Sequence, residues 1–193
     1  IHISPFFFKV HIMENFLFTA VSEEGVNISK ITDPEHPDIR QTFFVPGFGQ
    51  AVCTSADSNY LLIASGEVGL SIFDISDFQD GYNIYPLIIT LDTPGFAEDV
   101  IIHPSLPVAF VACGTGGLVI ADYSDTANVK IVSMYNTGGY AKEVFYQNNK
   151  VYITTELRGL QIIDVLNLSA PTRIGTVETS YALGLTADDK YIY

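Results

Sequence analysis

Apolar residues in this chain come in short bursts of Val, Ile, Leu, Phe and Tyr, separated by Gly, Asn, Asp, Ser and Pro, with no stripe at helical spacing. The bursts at residues 16–21, 60–65, 108–113 and 151–155 each have the length of a buried strand. A few residues on, each is followed by a glycine and a second burst: Gly25-Val26-Asn27-Ile28-Ser29-Lys30, Gly69-Leu70-Ser71-Ile72-Phe73-Asp74, Gly117-Leu118-Val119-Ile120-Ala121-Asp122 and Gly159-Leu160-Gln161-Ile162-Ile163-Asp164. Two apolar runs flanking a glycine-bearing turn predict a β-hairpin. Four copies predict an all-β chain built from repeats.

The glycines are 44, 48 and 42 residues apart, the spacing of four-stranded propeller blades and too long for leucine-rich or ankyrin repeats. A second punctuation follows 20 to 25 residues after each glycine, at Pro46-Gly47-Phe48, Pro94-Gly95-Phe96, Gly138-Gly139-Tyr140 and Thr179-Ser180-Tyr181, and marks the crossing to the next blade. In the last complete copy the strands are expected at 141–147, 151–155, 160–165 and 173–177, with a polar turn at Asn148-Asn149-Lys150. The same rule places blades at 6–45, 47–93, 95–137 and 139–179, and the start of a fifth at 181–193. The expected fold class is therefore an all-β propeller of four complete blades plus the beginning of another, as part of a larger propeller in a longer chain. The second blade is lengthened by an insertion of about four residues around Asp80-Gly81-Tyr82-Asn83, in a connection that tolerates growth.

These segments resemble the LVIVD repeat, whose name spells its third strand. Leu118-Val119-Ile120-Ala121-Asp122 departs from it at one position, Leu160-Gln161-Ile162-Ile163-Asp164 and Leu70-Ser71-Ile72-Phe73-Asp74 keep its Leu, Ile and Asp, and the first copy departs with Val26, Ile28 and Lys30. The resemblance implies a β-propeller of a cell-surface or secreted repeat protein. It implies no particular chemistry, because propellers host unrelated activities.

Composition narrows the partners. With 9 basic against 22 acidic residues the 193-residue chain carries a formal charge of −13, which repels phosphate backbones and anionic membrane surfaces, so nucleic acid is not an expected partner. Proteins and glycans remain. The charge-free stretch 104–121 is long enough to suggest a membrane span, but its two prolines and three glycines read as a buried hairpin. Cys53 and Cys113 are too few for a disulfide framework and are expected as buried small hydrophobes.

The innermost strand of each blade lines the channel, so Gln50, Glu98 with Asp99, Lys142 with Glu143, and Leu183 with Gly184 are expected to face it. Glu98, Asp99 and Glu143 supply the oxygen ligands a divalent cation prefers, which defines an alternative reading as a metal-binding or enzymatic propeller. Without that cation they form a solvated acidic rim. Asp74, Asp122 and Asp164 recur at one register and are expected to close turns by bonding backbone amides two residues on. The repeated glycines lack the Lys-Ser/Thr pair and helix of a phosphate loop and are expected to supply positive φ. His2, His11, His36 and His103 have no second ligand at zinc spacing, and no serine stands in a nucleophile elbow. Asn27 and Asn167 head formal glycosylation triplets. The leading expectation is a non-catalytic platform that binds a protein or glycan through blade loops, Tyr82 of the insertion among them, with no required cofactor.

Overall fold

The computed structural model describes residues 7–179, 181–186, 188 and 190–193. Among them are sixteen strands and no helix. They form four antiparallel sheets, each a meander of four consecutive strands. The first comprises β1 (Val10–Met13), β2 (Phe16–Ala20), β3 (Val26–Lys30) and β4 (Asp38–Phe43). The second comprises β5 (Ala51–Thr54), β6 (Tyr60–Ala64), β7 (Leu70–Asp74) and β8 (Leu87–Leu91). The third holds β9 (Asp99–Ile102), β10 (Val108–Ala112), β11 (Leu118–Asp122) and β12 (Lys130–Tyr135), and the fourth β13 (Ala141–Gln147), β14 (Lys150–Thr155), β15 (Gly159–Asp164) and β16 (Thr172–Val177). The first strands β1, β5, β9 and β13 pack beside one another at the centre, as propeller blades do.

Burial follows from the pleat. In β6, Leu61 and Ile63 join a layer with Phe16, Phe18, Val26 and Ile28 of the first sheet, while Leu62 and Ala64 join one with Ala109, Val111 and Val119 of the third. A strand buried on both faces needs apolar residues at every position, hence the unbroken bursts. The charge-free stretch resolves into β10, a tight turn and β11, paired from Val108↔Asp122 to Ala112↔Leu118.

The repeated glycines Gly25, Gly69, Gly117 and Gly159 have φ of 94°, 93°, 78° and 67°. At Gly117 a Cβ would also meet the Tyr135 carbonyl oxygen at 2.3 Å, so the position excludes side chains twice over. Asn148 and Asn149, at φ 52° and 59°, form the two-residue turn between β13 and β14. Asp74, Asp122 and Asp164 each accept the backbone N–H two residues on, from Ser76, Ser124 and Leu166, at 2.9 Å.

All four sheets share a bulge at one register. Pairing of the third strand with the fourth shifts after Ile28, Ile72, Ile120 and Ile162, leaving one extra residue in each outer strand. A bulge increases local twist, so every blade is wound alike toward its rim.

Neighbouring blades are joined by backbone as well as by side chains. Gly66 and Ala97 exchange N–H···O bonds of 3.1 and 2.9 Å, as do Gly114 with Ala141 and Ser22 with Gly49. The crossing aromatics lie on these junctions: a Cβ at Gly66 would stand 2.8 Å from the Phe96 ring, and one at Gly114 2.9 Å from the Tyr140 ring. The tail begins the same pattern, since Thr186 and Tyr193 exchange backbone bonds and Asp188 caps Lys190 as Asp57 caps Asn59.

Candidate functional site

The first strands bring one register position of every blade to the centre. Backbone amides of Phe8, Gln50 and Glu98 donate to the carbonyls of Ala20, Ala64 and Ala112, so these three residues are equivalent, and the residues after them are Lys9, Ala51 and Asp99. In the fourth blade the matching run Tyr140-Ala141-Lys142-Glu143-Val144 places Glu143 there. The ring thus reads basic, small, acidic, acidic.

Lys9 reaches across this ring. Its Nζ lies 2.6 Å from Asp99 Oδ2 and 3.1 Å from Glu143 Oε1, tying the first blade to the third and fourth. Ala51, fully buried in the blade between, leaves the passage clear. Asp99 Oδ2 also accepts the Val144 N–H at 3.0 Å, and Oδ1 accepts the Val100 N–H at 2.8 Å. The pairing of β13 with β14 is irregular between Ala141 and Val144, which frees the Val144 amide for Asp99. Glu143 repeats the device one blade later, its second oxygen accepting the Leu185 N–H.

Glu98 is bound separately. It accepts from Lys142 Nζ at 2.7 Å and from the Tyr140 hydroxyl at 2.6 Å. Around these groups lies a cavity of 210 Å³ lined by Phe8, Lys9, Gln50, Glu98, Asp99, Lys142, Glu143 and Leu183. The structure therefore unites Gln50, Glu98, Asp99 and Glu143 at the centre. They do not form a solvated rim, since the Asp99 and Glu98 side chains are 2% and 6% exposed.

Burial governs the electrostatics. It raises the Asp99 carboxyl to about 6, against the pull of Lys9 and the Val144 N–H. For Lys9 burial pulls downward, but Asp99 and Glu143 together outweigh it and the ammonium is held above its ordinary range. Burial also raises the Cys53 thiol strongly and the Cys113 thiol to about 12, so neither is a thiolate nucleophile at neutral pH. Among the described residues no three His, Cys, Asp or Glu side chains are grouped as metal ligands. Lys9 Nζ fills the space between Asp99 and Glu143 where a shared cation would have to sit.

Tyr82 is not part of this centre. The insertion folds back on the first blade, where Arg40 donates to the Tyr82 hydroxyl at 2.9 Å and its guanidinium carbon lies 5.0 Å from the ring centroid. Gln41 Nε2 bonds the Asn83 carbonyl at 2.8 Å. The tyrosine remains 53% exposed and Ile84 beside it 96%.

Lys9 is the central residue that reasoning from the sequence missed. No glycine punctuation precedes the first strand of the first blade, so its register is not marked. Counting back from the two-residue turn Glu14-Asn15, equivalent to Asn148-Asn149, puts Lys9 opposite Glu143.

Solved structures share this architecture at low sequence identity, a likeness of fold alone. A putative 6-phosphogluconolactonase from Bacteroides uniformis superposes with a TM-score of 0.78 at 12% identity, over 95% of this chain and 61% of that one. The computationally designed Ika8 protein gives 0.69 at 11% identity, over 95% and 53%. A functionally unknown protein from Desulfotomaculum acetoxidans gives 0.66 at 12%, over 91% and 57%. The chain thus spans between about half and three-fifths of these structures. No curated protein matches it in sequence. The LVIVD repeat model matches residues 49–78, 95–137 and 138–179, more than half of the chain, including the three copies with the terminal aspartate. With four glycine-turned sheets of one pattern around a common centre, the chain belongs to the LVIVD repeat family.

Proposed function

We propose that the protein is a non-catalytic interaction platform of a cell-surface or secreted repeat protein, binding a protein or glycan partner through its blade loops. The observation that carries this reading is the use made of the central acids. Asp99, Glu98 and Glu143 are each spent on a lysine and on a backbone or hydroxyl donor of another segment, which holds the blades in place. A scaffold fixed this way presents its loops without reorganising, which lowers the entropy cost of binding. The insertion offers one exposed contact group, where Tyr82 and Ile84 stand out and Arg40 holds the ring. Tyrosine supplies large contact area at low conformational cost.

Affinity capture and glycan arrays with the wild type and with Tyr82→Ala test this reading. The variant should bind the recovered partner at least tenfold more weakly. Unchanged affinity would remove the insertion from the interface.

A second reading rests on the cavity that joins Gln50, Glu98, Asp99 and Glu143. If Lys9 swings out, Asp99 and Glu143 are left facing one space and offer a divalent cation two carboxylate ligands, with Glu98 beside them on the same cavity. Calorimetry with Ca²⁺, Mg²⁺ and Mn²⁺ distinguishes the two readings: saturable uptake abolished by Asp99→Ala establishes a metal site, and no uptake by wild type or Lys9→Met removes it.

A further inference from the structure

A second cleft, of about 1070 Å³, lies away from the centre, between the crossing that enters the fourth blade and the blade's last two strands. Two of the chain's three arginines, Arg158 and Arg173, line it. Both are exposed, and neither makes an ion pair among the described residues. In a chain of charge −13 two guanidiniums without ion pairs line this one cleft, beside the carboxylates of Glu156 and Glu178. The crossing glycines lie beside Arg158, and a Cβ at Gly138 would stand 3.6 Å from its guanidinium, an ordinary contact distance.

Gln161 fixes the floor. It is 1% exposed and donates its amide N–H to the Thr137 carbonyl at 2.7 Å, which ties the crossing to the third strand of the blade. Its Oε1 is closed off from the cleft. Glu156 and Glu178, also on the cleft, supply hydrogen-bond acceptors.

We propose that this cleft binds an acidic glycan, with a sugar carboxylate held by Arg158 and Arg173 and sugar hydroxyls donating to Glu156 and Glu178. A uronic acid unit carries both complements on one small scaffold: a carboxylate that matches guanidinium geometry and hydroxyl donors that match the acceptors. A simple anion satisfies the arginines but leaves the acceptors facing like charge. A neutral sugar satisfies the acceptors but leaves the guanidiniums unpaired. The proposal rests on the platform reading and names one of its ligand classes.

Titration calorimetry of the whole chain with trisaccharides of galacturonic, glucuronic and mannuronic acid, beside neutral galactotriose, tests it. At least one acidic trisaccharide should bind saturably, and galactotriose at least tenfold more weakly. The double variant Arg158→Ala/Arg173→Ala, in two exposed residues, should melt like wild type and lose at least tenfold in affinity. Failure of all three acids to bind, or binding unchanged in the double variant, would overturn the proposal. Partner capture that depends on Tyr82 would then leave the platform standing without this cleft. Arginine-dependent trisaccharide binding with no effect of Tyr82→Ala would establish the cleft and remove the insertion.

Discussion

Ile101, Phe110, Leu118 and Ile120 on the third sheet occupy the same strand positions as Phe145, Tyr152, Leu160 and Ile162 on the fourth, as the cross-strand pairs show. The first set packs into the layer between the two sheets, with Phe110, Leu118 and Ile120 fully buried. The second set is only half-buried, because among the described residues no further sheet stands on that side. The first sheet shows the mirror condition: Val10, Leu17 and Ile39 on its outer face line an apolar hollow of 490 Å³. One strand pattern thus yields a core in one place and a sticky face in another. What differs is the neighbour.

The largest expected effect tests this contrast directly. Phe110→Ala should cost about 3–5 kcal/mol of unfolding free energy, whereas Tyr152→Ala, at the equivalent position, should cost about 1 kcal/mol. Urea denaturation at low protein concentration measures both. Equal losses would mean that the outer face of the fourth sheet is covered in solution, and a loss at Tyr152 that grows with protein concentration would identify self-association as the cover.

A comparable loss is expected at the centre, where side chains from distant blades meet. Asp99→Ala leaves Lys9 with Glu143 alone and orphans the Val144 N–H, a change of about 3–5 kcal/mol when a buried pair loses one member. Asp99→Asn keeps an acceptor and should lose less. The pH dependence has a defined sign. Burial raises the folded carboxyl to about 6, above its ordinary value of 3.8, so the folded state binds the extra proton and Asp99 contributes more stability at pH 4 than at pH 7. Relative to Asp99→Asn, the wild type should therefore gain stability as pH falls from 7 to 4.

Smaller effects separate turns from strands. Gly117→Ala forces a side chain to φ 78° and into the Tyr135 carbonyl, and should cost about 1–3 kcal/mol. Gly175→Ala, on the outermost strand of the open sheet, has the flexible Ile162 side chain as its nearest neighbour and should stay within about 0.5 kcal/mol of wild type. Thermal melts of the two variants should differ accordingly.

The smallest change is expected at the repeated aspartates. Asp122→Ala removes one turn bond to Ser124 and should cost about 0.5–1.5 kcal/mol. Its carboxyl is held below 3.8 by the Ser124 backbone and hydroxyl, so this stability is present at neutral pH and is lost as pH falls below about 4. The Asp122→Ala deficit should shrink in acid, opposite in sign to the Asp99 effect.

Strand order, blade period, turn glycines and the aspartate turns were legible in the amino-acid order because each depends on residues close in the chain. A hairpin needs its glycine, and a strand buried on both faces needs apolar residues without gaps. Gln50, Glu98, Asp99 and Glu143 were legible as channel-facing for the same reason, since each follows a marked crossing. Their partners were not. Lys9 lies 90 residues from Asp99 and 134 from Glu143, and only the stacking of sheets brings the ammonium between them. The same stacking turned an expected solvated rim into buried, paired acids and folded the Tyr82 insertion against Arg40 of the preceding blade. Local order sets which face a residue occupies, and the blade standing opposite sets whether that face meets water, a charge or a core.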